Sequence, residues 1–182
     1  TNKTHHITNI MYLYKDIFSE DELFSDSFKI SEVDGVVYRV ESGFKTKSDD
    51  EDFGIGHNTD EDDEGGAGGD MGGGSSSTVN ELVDAFKLVE IQYDKKSYLA
   101  HLKKYMGQLK KHLEENHPDR VADFQKQVTE YARKVANRFK EYQFFQGESL
   151  HEDGMVVLQD FSEDGMTPYL YFFKDGVVQE KV

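Results

Sequence analysis

The side chains of this sequence that could do chemistry are carboxylates, lysines and histidines, because it has no cysteine. That composition removes disulfides, thiol nucleophiles, thiol redox chemistry and thiolate zinc sites. Neither a Gly-x-Ser-x-Gly nucleophile elbow nor a Gly-x-x-x-x-Gly-Lys phosphate loop occurs. The seven histidines are His5, His6, His57, His101, His112, His117 and His151. No two stand at the His-x-x-x-His spacing that puts two imidazoles on one helix face, so each reads as a surface residue. The expectation is a binding protein rather than an enzyme.

The carboxylates fall into three groups. Asp60-Glu61-Asp62-Asp63-Glu64-Gly65 matches the first half of a calcium-binding loop, but Met71 stands at the twelfth position, where a bidentate Glu belongs. The run is therefore no EF-hand. Asp60, Asp62 and Glu64 could still hold calcium weakly, with a dissociation constant on the order of 10⁻⁴–10⁻³ M. The competing reading is a solvating charge run. In the second group, Ser19-Glu20-Asp21-Glu22 has the spacing of a capping box, which would give Glu22 a structural task at the start of a short helical turn. The third is Glu148, which follows Phe144-Phe145 and Gly147 and reads as exposed in a turn after a strand.

The cations are gathered too. Segment Asp94–Lys140 carries twelve basic and six acidic residues, a net charge of +6. Segment Thr46–Thr78 carries one basic and ten acidic residues, a net of −9, with nine of the sixteen glycines. The whole chain of 182 residues has a net charge of −15, which argues against a general nucleic-acid binder. The asymmetry says more than the total: an acidic tether and a basic module. A basic face attracts acidic proteins or anionic surfaces, and an ordinary solvated helix face is the alternative.

The elements that must position these groups read as follows. Residues 46–78 offer only Phe53, Ile55, Ala67 and Met71 for burial, so a disordered, mobile acidic loop is predicted. Strands are predicted over 11–15, 28–33, 36–40, 155–161, 168–173 and 177–180, with a hairpin turn at Asp34-Gly35. Residues 79–91 read as a strand, with a helical start as the alternative. Tyr98, Leu99, Leu102, Tyr105, Met106, Leu109 and Leu113 form a helical stripe, and Val121, Phe124, Val128, Tyr131, Val135 and Phe139 a second. Asp94 suits an N-cap, and Asn116-His117-Pro118 breaks the run. The two helices predict an antiparallel hairpin whose other face carries Lys95, Lys96, Lys103, Lys104, Lys110, Lys111, Lys126, Arg133, Lys134 and Lys140. The fold class is α+β: a mostly antiparallel sheet with an inserted two-helix hairpin at 94–140. Residues 1–10, with His5-His6, read as a tag or extension before a single domain over 11–182. No run of about 18 apolar residues and no signal-peptide pattern is present, so a cytoplasmic protein is expected.

Met-Tyr-Leu-Tyr-Lys-Asp-Ile-Phe-Ser-Glu-Asp-Glu-Leu-Phe-Ser-Asp-Ser (Met11–Ser27) resembles the opening of the translationally controlled tumour protein family. Phe-Lys-Glu-Tyr-Gln-Phe-Phe-Gln-Gly-Glu-Ser (Phe139–Ser149) resembles its second signature. Asp-Gly-Met-Val-Val, Glu-Asp-Gly-Met-Thr-Pro-Tyr, Phe-Phe-Lys-Asp-Gly and the final Glu-Lys-Val fit in order, so the resemblance runs from Met11 to Val182. It implies a β-tent-like sheet, a projecting helical hairpin and a mobile acidic loop. It also implies a non-enzymatic monomer that binds small GTPases, translation elongation factors, tubulin or microtubules, and calcium, with anti-apoptotic contacts and some cytoskeletal association. On that resemblance Glu22 and Glu148 become the GTPase-binding positions. Tubulin and calcium binding map to about residues 91–133, where Lys103, Lys104, Lys110 and Lys111 are the tubulin-facing candidates. Phe53 or Gly54 stands where some members carry a kinase-target serine, and Val182 where some carry cysteine.

Overall fold

The computed structural model describes residues 10–47 and 77–182. All strand pairings in it are antiparallel. Strands β1 (Tyr12–Asp16), β2 (Glu22–Ser25), β3 (Lys29–Val33), β4 (Val37–Glu41), β5 (Phe44–Lys47) and β6 (Ser77–Asn80) precede the short helix α1 (Glu81–Phe86). Strand β7 (Val89–Ile91), helices α2 (Lys95–Asn116) and α3 (Val121–Asn137), and strands β8 (Gln143–Gln146), β9 (Val157–Phe161), β10 (Pro168–Phe173) and β11 (Val177–Lys181) follow. They form a three-stranded sheet in the order β11-β1-β2, a six-stranded sheet β3-β4-β10-β9-β8-β7, and the β5-β6 ribbon.

Aromatic side chains join these layers. Phe24 of β2 stacks on Tyr14 with centroids 4.4 Å apart and lies 4.4 Å from Phe172 of β10, so it bridges the two larger sheets. Tyr98 packs on Phe144 at 5.0 Å, and Tyr105 and Tyr131 pack on Phe173 at 5.5 and 5.8 Å, which seats the hairpin on the sheet. The buried stripe Tyr98, Leu102, Tyr105, Leu109, Leu113 keeps the three- and four-residue spacing of one helix face. Asp94 caps α2 by accepting from the Ser97 N–H at 2.7 Å.

The hairpin's tip is tied down. The Arg120 guanidinium donates to both Asp175 oxygens at 3.1 Å, to the Gly35 carbonyl at 2.8 Å and to Gln127 Oε1 at 2.6 Å. Lys134 adds an ion pair to Asp34 at 3.0 Å. Asp34 and Gly35 both have positive φ, 55° and 70°, as expected of an Asp-Gly hairpin turn.

Three local expectations are corrected. Residues 79–91 are not one strand but hold the alternative helical start: Val79 and Asn80 end β6, Asn80 Oδ1 accepts from the Leu82 and Val83 N–H groups at 3.1 and 3.3 Å and starts α1, and the chain is extended again only at Val89–Ile91. Ser42 donates to that same oxygen at 2.7 Å, so the cap is fixed by a residue distant in sequence. The capping box at Ser19 is absent as well. Ser19 Oγ accepts from the Asp21 N–H at 3.3 Å, Glu20 is left-handed with φ 63°, and Glu22 opens β2 rather than a helix. Finally, the acidic loop does not begin at 46 and end at 78. Thr46 pairs with Thr78 and Lys47 with Ser77 in the β5-β6 ribbon. Lys45 and Lys47 hold Asp84 at 2.9 and 3.1 Å, which fastens the ribbon to α1.

Candidate functional site

The first candidate region is built on Asp16. Its carboxylate is 2% exposed and accepts from the backbone N–H of Met155 at 2.6 Å, Phe18 at 2.8 Å and Ser19 at 3.4 Å. Burial pushes its pKa above the ordinary aspartate value, while the three N–H donors pull the other way. The Asp16 N–H donates to the Asp21 carbonyl and the Glu20 N–H to the Asp16 carbonyl, both at 2.9 Å. The turn between β1 and β2 is thereby hydrogen-bonded at both ends, and it presents Glu20, Asp21 and Glu22 in sequence.

Asp21 then ties a second segment to that turn. Its carboxylate accepts from the Ser149 hydroxyl at 2.6 Å and the Ser149 N–H at 3.3 Å. The approach is so close that a Cβ at position 147 would overlap the Asp21 side chain, so glycine is required there. Glu148 sits between that glycine and the anchored serine. Helix α1 supplies the third wall: it ends at Lys87, left-handed with φ 54°, whose N–H closes onto the Val83 and Asp84 carbonyls. The result is a cleft of about 320 Å³ lined by Glu20, Asp21, Glu22, Ala85, Phe86, Lys87 and Glu148. Glu22 and Glu148 meet there, both exposed. Lys87 is the single cation of the lining among the described residues and stands 3.7 Å from Glu148. Four carboxylates against one ammonium make the cleft a receptor for positive charge.

The second region is the hairpin, and its lysines divide. Lys103 and Lys110 flank a groove of about 370 Å³ between α2 and α3, whose apolar lining includes Leu99, Leu102, Met106, Phe124, Val128 and Ala132. Lys104 instead pairs with Asp153 at 3.2 Å, and Lys111 borders a separate depression with Phe18, Gln108, His112, Glu115 and Asp153. Hydrogen bonds from Gln108 and Lys104 hold the Asp153 carboxyl below its ordinary pKa. The four lysines thus do not form one continuous patch. Gly107 lies in the groove wall, and a Cβ there would meet nothing within 4 Å. Glycine inside an α-helix costs about 1 kcal/mol relative to alanine, and neither packing nor backbone conformation demands it here.

Sequence reasoning missed Asp16, Asp21, Lys87 and Gly107. Asp21 was hidden inside the apparent capping box, and Lys87 inside a segment read as a strand. Asp60, Asp62 and Glu64 lie outside the described residues. Among the described residues no three His, Asp or Glu side chains converge as metal ligands. No described helix is long and apolar enough to cross a membrane.

The sequence profile described as Translationally controlled tumour protein matches residues 11–178. The chain belongs to this family. The translationally controlled tumour protein homologue of Schizosaccharomyces pombe is 42% identical over 171 residues, spanning 94% of this chain and 99% of its own. The homologue of Yarrowia lipolytica is 42% identical over 173 residues, 94% of this chain and all of its own. The solved structure of the Schizosaccharomyces pombe protein superposes with a TM-score of 0.79, over 94% of this chain and 99% of that one. A solution structure of the Caenorhabditis elegans protein, 30% identical, gives 0.69 over 94% and 98%. The likeness covers the sheets and the hairpin together, so the α+β fold is that of the family.

Proposed function

We propose that this chain is a non-enzymatic, cytoplasmic, monomeric regulator that binds small GTPases and translation elongation factors in support of growth and protein synthesis. The observation that carries the GTPase reading is the meeting of Glu22 and Glu148 in one carboxylate cleft, held open by anchors that use neither residue. A nucleotide-free GTPase exposes the lysine of its phosphate-binding loop, and a carboxylate can take the place of a lost phosphate oxygen as its partner. Glu22→Gln and Glu148→Gln keep the side-chain volume and remove the charge. Each should leave the melting temperature unchanged and weaken capture of a nucleotide-free Ras-like GTPase several-fold. Capture that survives both substitutions refutes the site.

A second reading, microtubule stabilisation, draws on Lys103 and Lys110, which stand beside a groove whose lining holds no carboxylate among the described residues. Lys104 and Lys111 would add charge from the flank of α2. Reversing all four to Glu should reduce co-sedimentation with microtubules and flatten its salt dependence. Weak calcium binding by Asp60, Asp62 and Glu64 accompanies this reading. It is tested by titrating calcium into the protein and its triple Asn/Gln variant.

A further inference from the structure

We infer that the groove between α2 and α3 is a docking site for an amphipathic helix whose flanks are acidic, carried by a partner protein. The inference does not depend on the GTPase cleft, which lies on other elements. Tyr98, Tyr105 and Tyr131 turn inward onto Phe144 and Phe173, so on the opposite side of the hairpin Leu99, Met106 and Ala132 are only half-buried, and no layer of the described residues covers them. Such a trough between two antiparallel helices accepts a third helix through anchors at i, i+3, i+4 and i+7.

Three observations select the occupant. Gly107 widens the groove at its middle, and the space a side chain would fill there is empty, which permits close approach of another backbone. Lys103 and Lys110 stand seven residues apart on the same helix, about 10 Å along its axis, so they bracket two turns of a docked helix. Lys103 has no ion-pair partner among the described residues, and Lys110 only a distant one, Glu114 at 3.8 Å. An apolar stripe flanked by carboxylates about seven residues apart meets all three features. A basic or uncharged helix meets only the first.

The test uses the full chain and a fluorescein-labelled 16-residue peptide with Leu at i, i+3, i+4 and i+7 and Glu at the flanks. Two controls accompany it: a scrambled peptide of the same composition, and one with Lys in place of Glu. Fluorescence anisotropy should show the amphipathic acidic peptide binding at least tenfold tighter than either control. Gly107→Leu should weaken that binding tenfold or more. Lys103→Glu with Lys110→Glu should do the same and remove most of the salt dependence. Thr129→Leu fills the groove from the α3 wall and replaces Gly107→Leu if that variant does not fold. Equal binding of the scrambled peptide, or binding indifferent to both groove-filling variants, overturns the inference in favour of diffuse charge attraction. Tighter binding of the Lys peptide overturns it as well. Tighter binding of a peptide copying residues 49–64 makes the chain's own acidic segment the occupant. Concentration-dependent self-association abolished by Gly107→Leu makes it a second copy.

Discussion

Replacing Asp16 by alanine should be among the most damaging single substitutions in this fold. The carboxylate receives two strong hydrogen bonds, from Met155 N–H at 2.6 Å and Phe18 N–H at 2.8 Å, and a weak third from Ser19 at 3.4 Å. A bond to a charged acceptor contributes about 1.5–3 kcal/mol. Part of that is already spent on desolvating the carboxylate, as its raised pKa reports. The alanine variant recovers the desolvation cost but strands the buried Met155 N–H, so the net loss is about 2–4 kcal/mol. For a chain of this length that lowers the melting temperature by about 4–16 °C, measurable by calorimetry or urea titration. Asp16→Asn adds a pH test. The native state holds this proton more tightly than the unfolded chain, so stability from this group is present at low pH. It is lost as pH rises from 3.8, the ordinary aspartate value, through the raised native value. The stability gap between the natural protein and Asp16→Asn should therefore narrow over that rise. A gap that widens instead shows that the three N–H donors outweigh burial. A loss under 1 kcal/mol for Asp16→Ala shows that the turn does not depend on this carboxylate.

The other anchors give smaller effects. Ser149→Ala removes the hydroxyl that Asp21 accepts, and should cost about 1 kcal/mol and speed amide exchange at residues 147–150. Lys87→Gly relieves a left-handed backbone at the end of α1, and urea titration should show stability unchanged or raised by up to about 1 kcal/mol. His101 is partly buried between Tyr93 and Tyr105, and burial, with Lys104 nearby, lowers its pKa against the pull of Asp153. The unfolded chain therefore takes up this proton first, so stability should fall as pH drops below 6.5, and His101→Gln should remove that part of the pH dependence.

Period and turn chemistry made the regular elements legible. The stripes from Tyr98 to Leu113 and from Phe124 to Val135 have one reading, and Asp34-Gly35 could hardly be anything but a turn. What could not be read were elements that depend on a distant partner. Helix α1 has six residues, and the Asn80 oxygen that caps it is held by Ser42 as well. The ribbon β5-β6 closes across a polar segment because Lys45 and Lys47 reach Asp84. At Ser19 the pattern Ser-x-x-Glu is present, but Asp16, three residues earlier, takes the Ser19 N–H that Glu22 would accept in a capping box. Glu22 and Glu148 were singled out through the family resemblance. Local pattern gave Glu22 a task it does not have, and the cleft that unites the pair depends on Asp21 reaching Ser149.

The two candidate surfaces share a physical signature: each carries a residue that sits where another type would fit the backbone better. At the cleft, Glu20, Glu22 and Glu148 share a lining with Lys87, and that lysine stands in a backbone conformation that glycine would hold with less strain. On the hairpin, Gly107 weakens a 22-residue helix at a place where alanine would fit without contact. Asp16, Asp21 and Arg120, by contrast, have their charged groups matched by donors or acceptors within the chain. A sequence shaped for folding alone would satisfy the first set as it satisfies the second. The exceptions occur where one surface is acidic and another is apolar with basic flanks. The two linings share no residue, so substitutions at one surface can be read without altering the other.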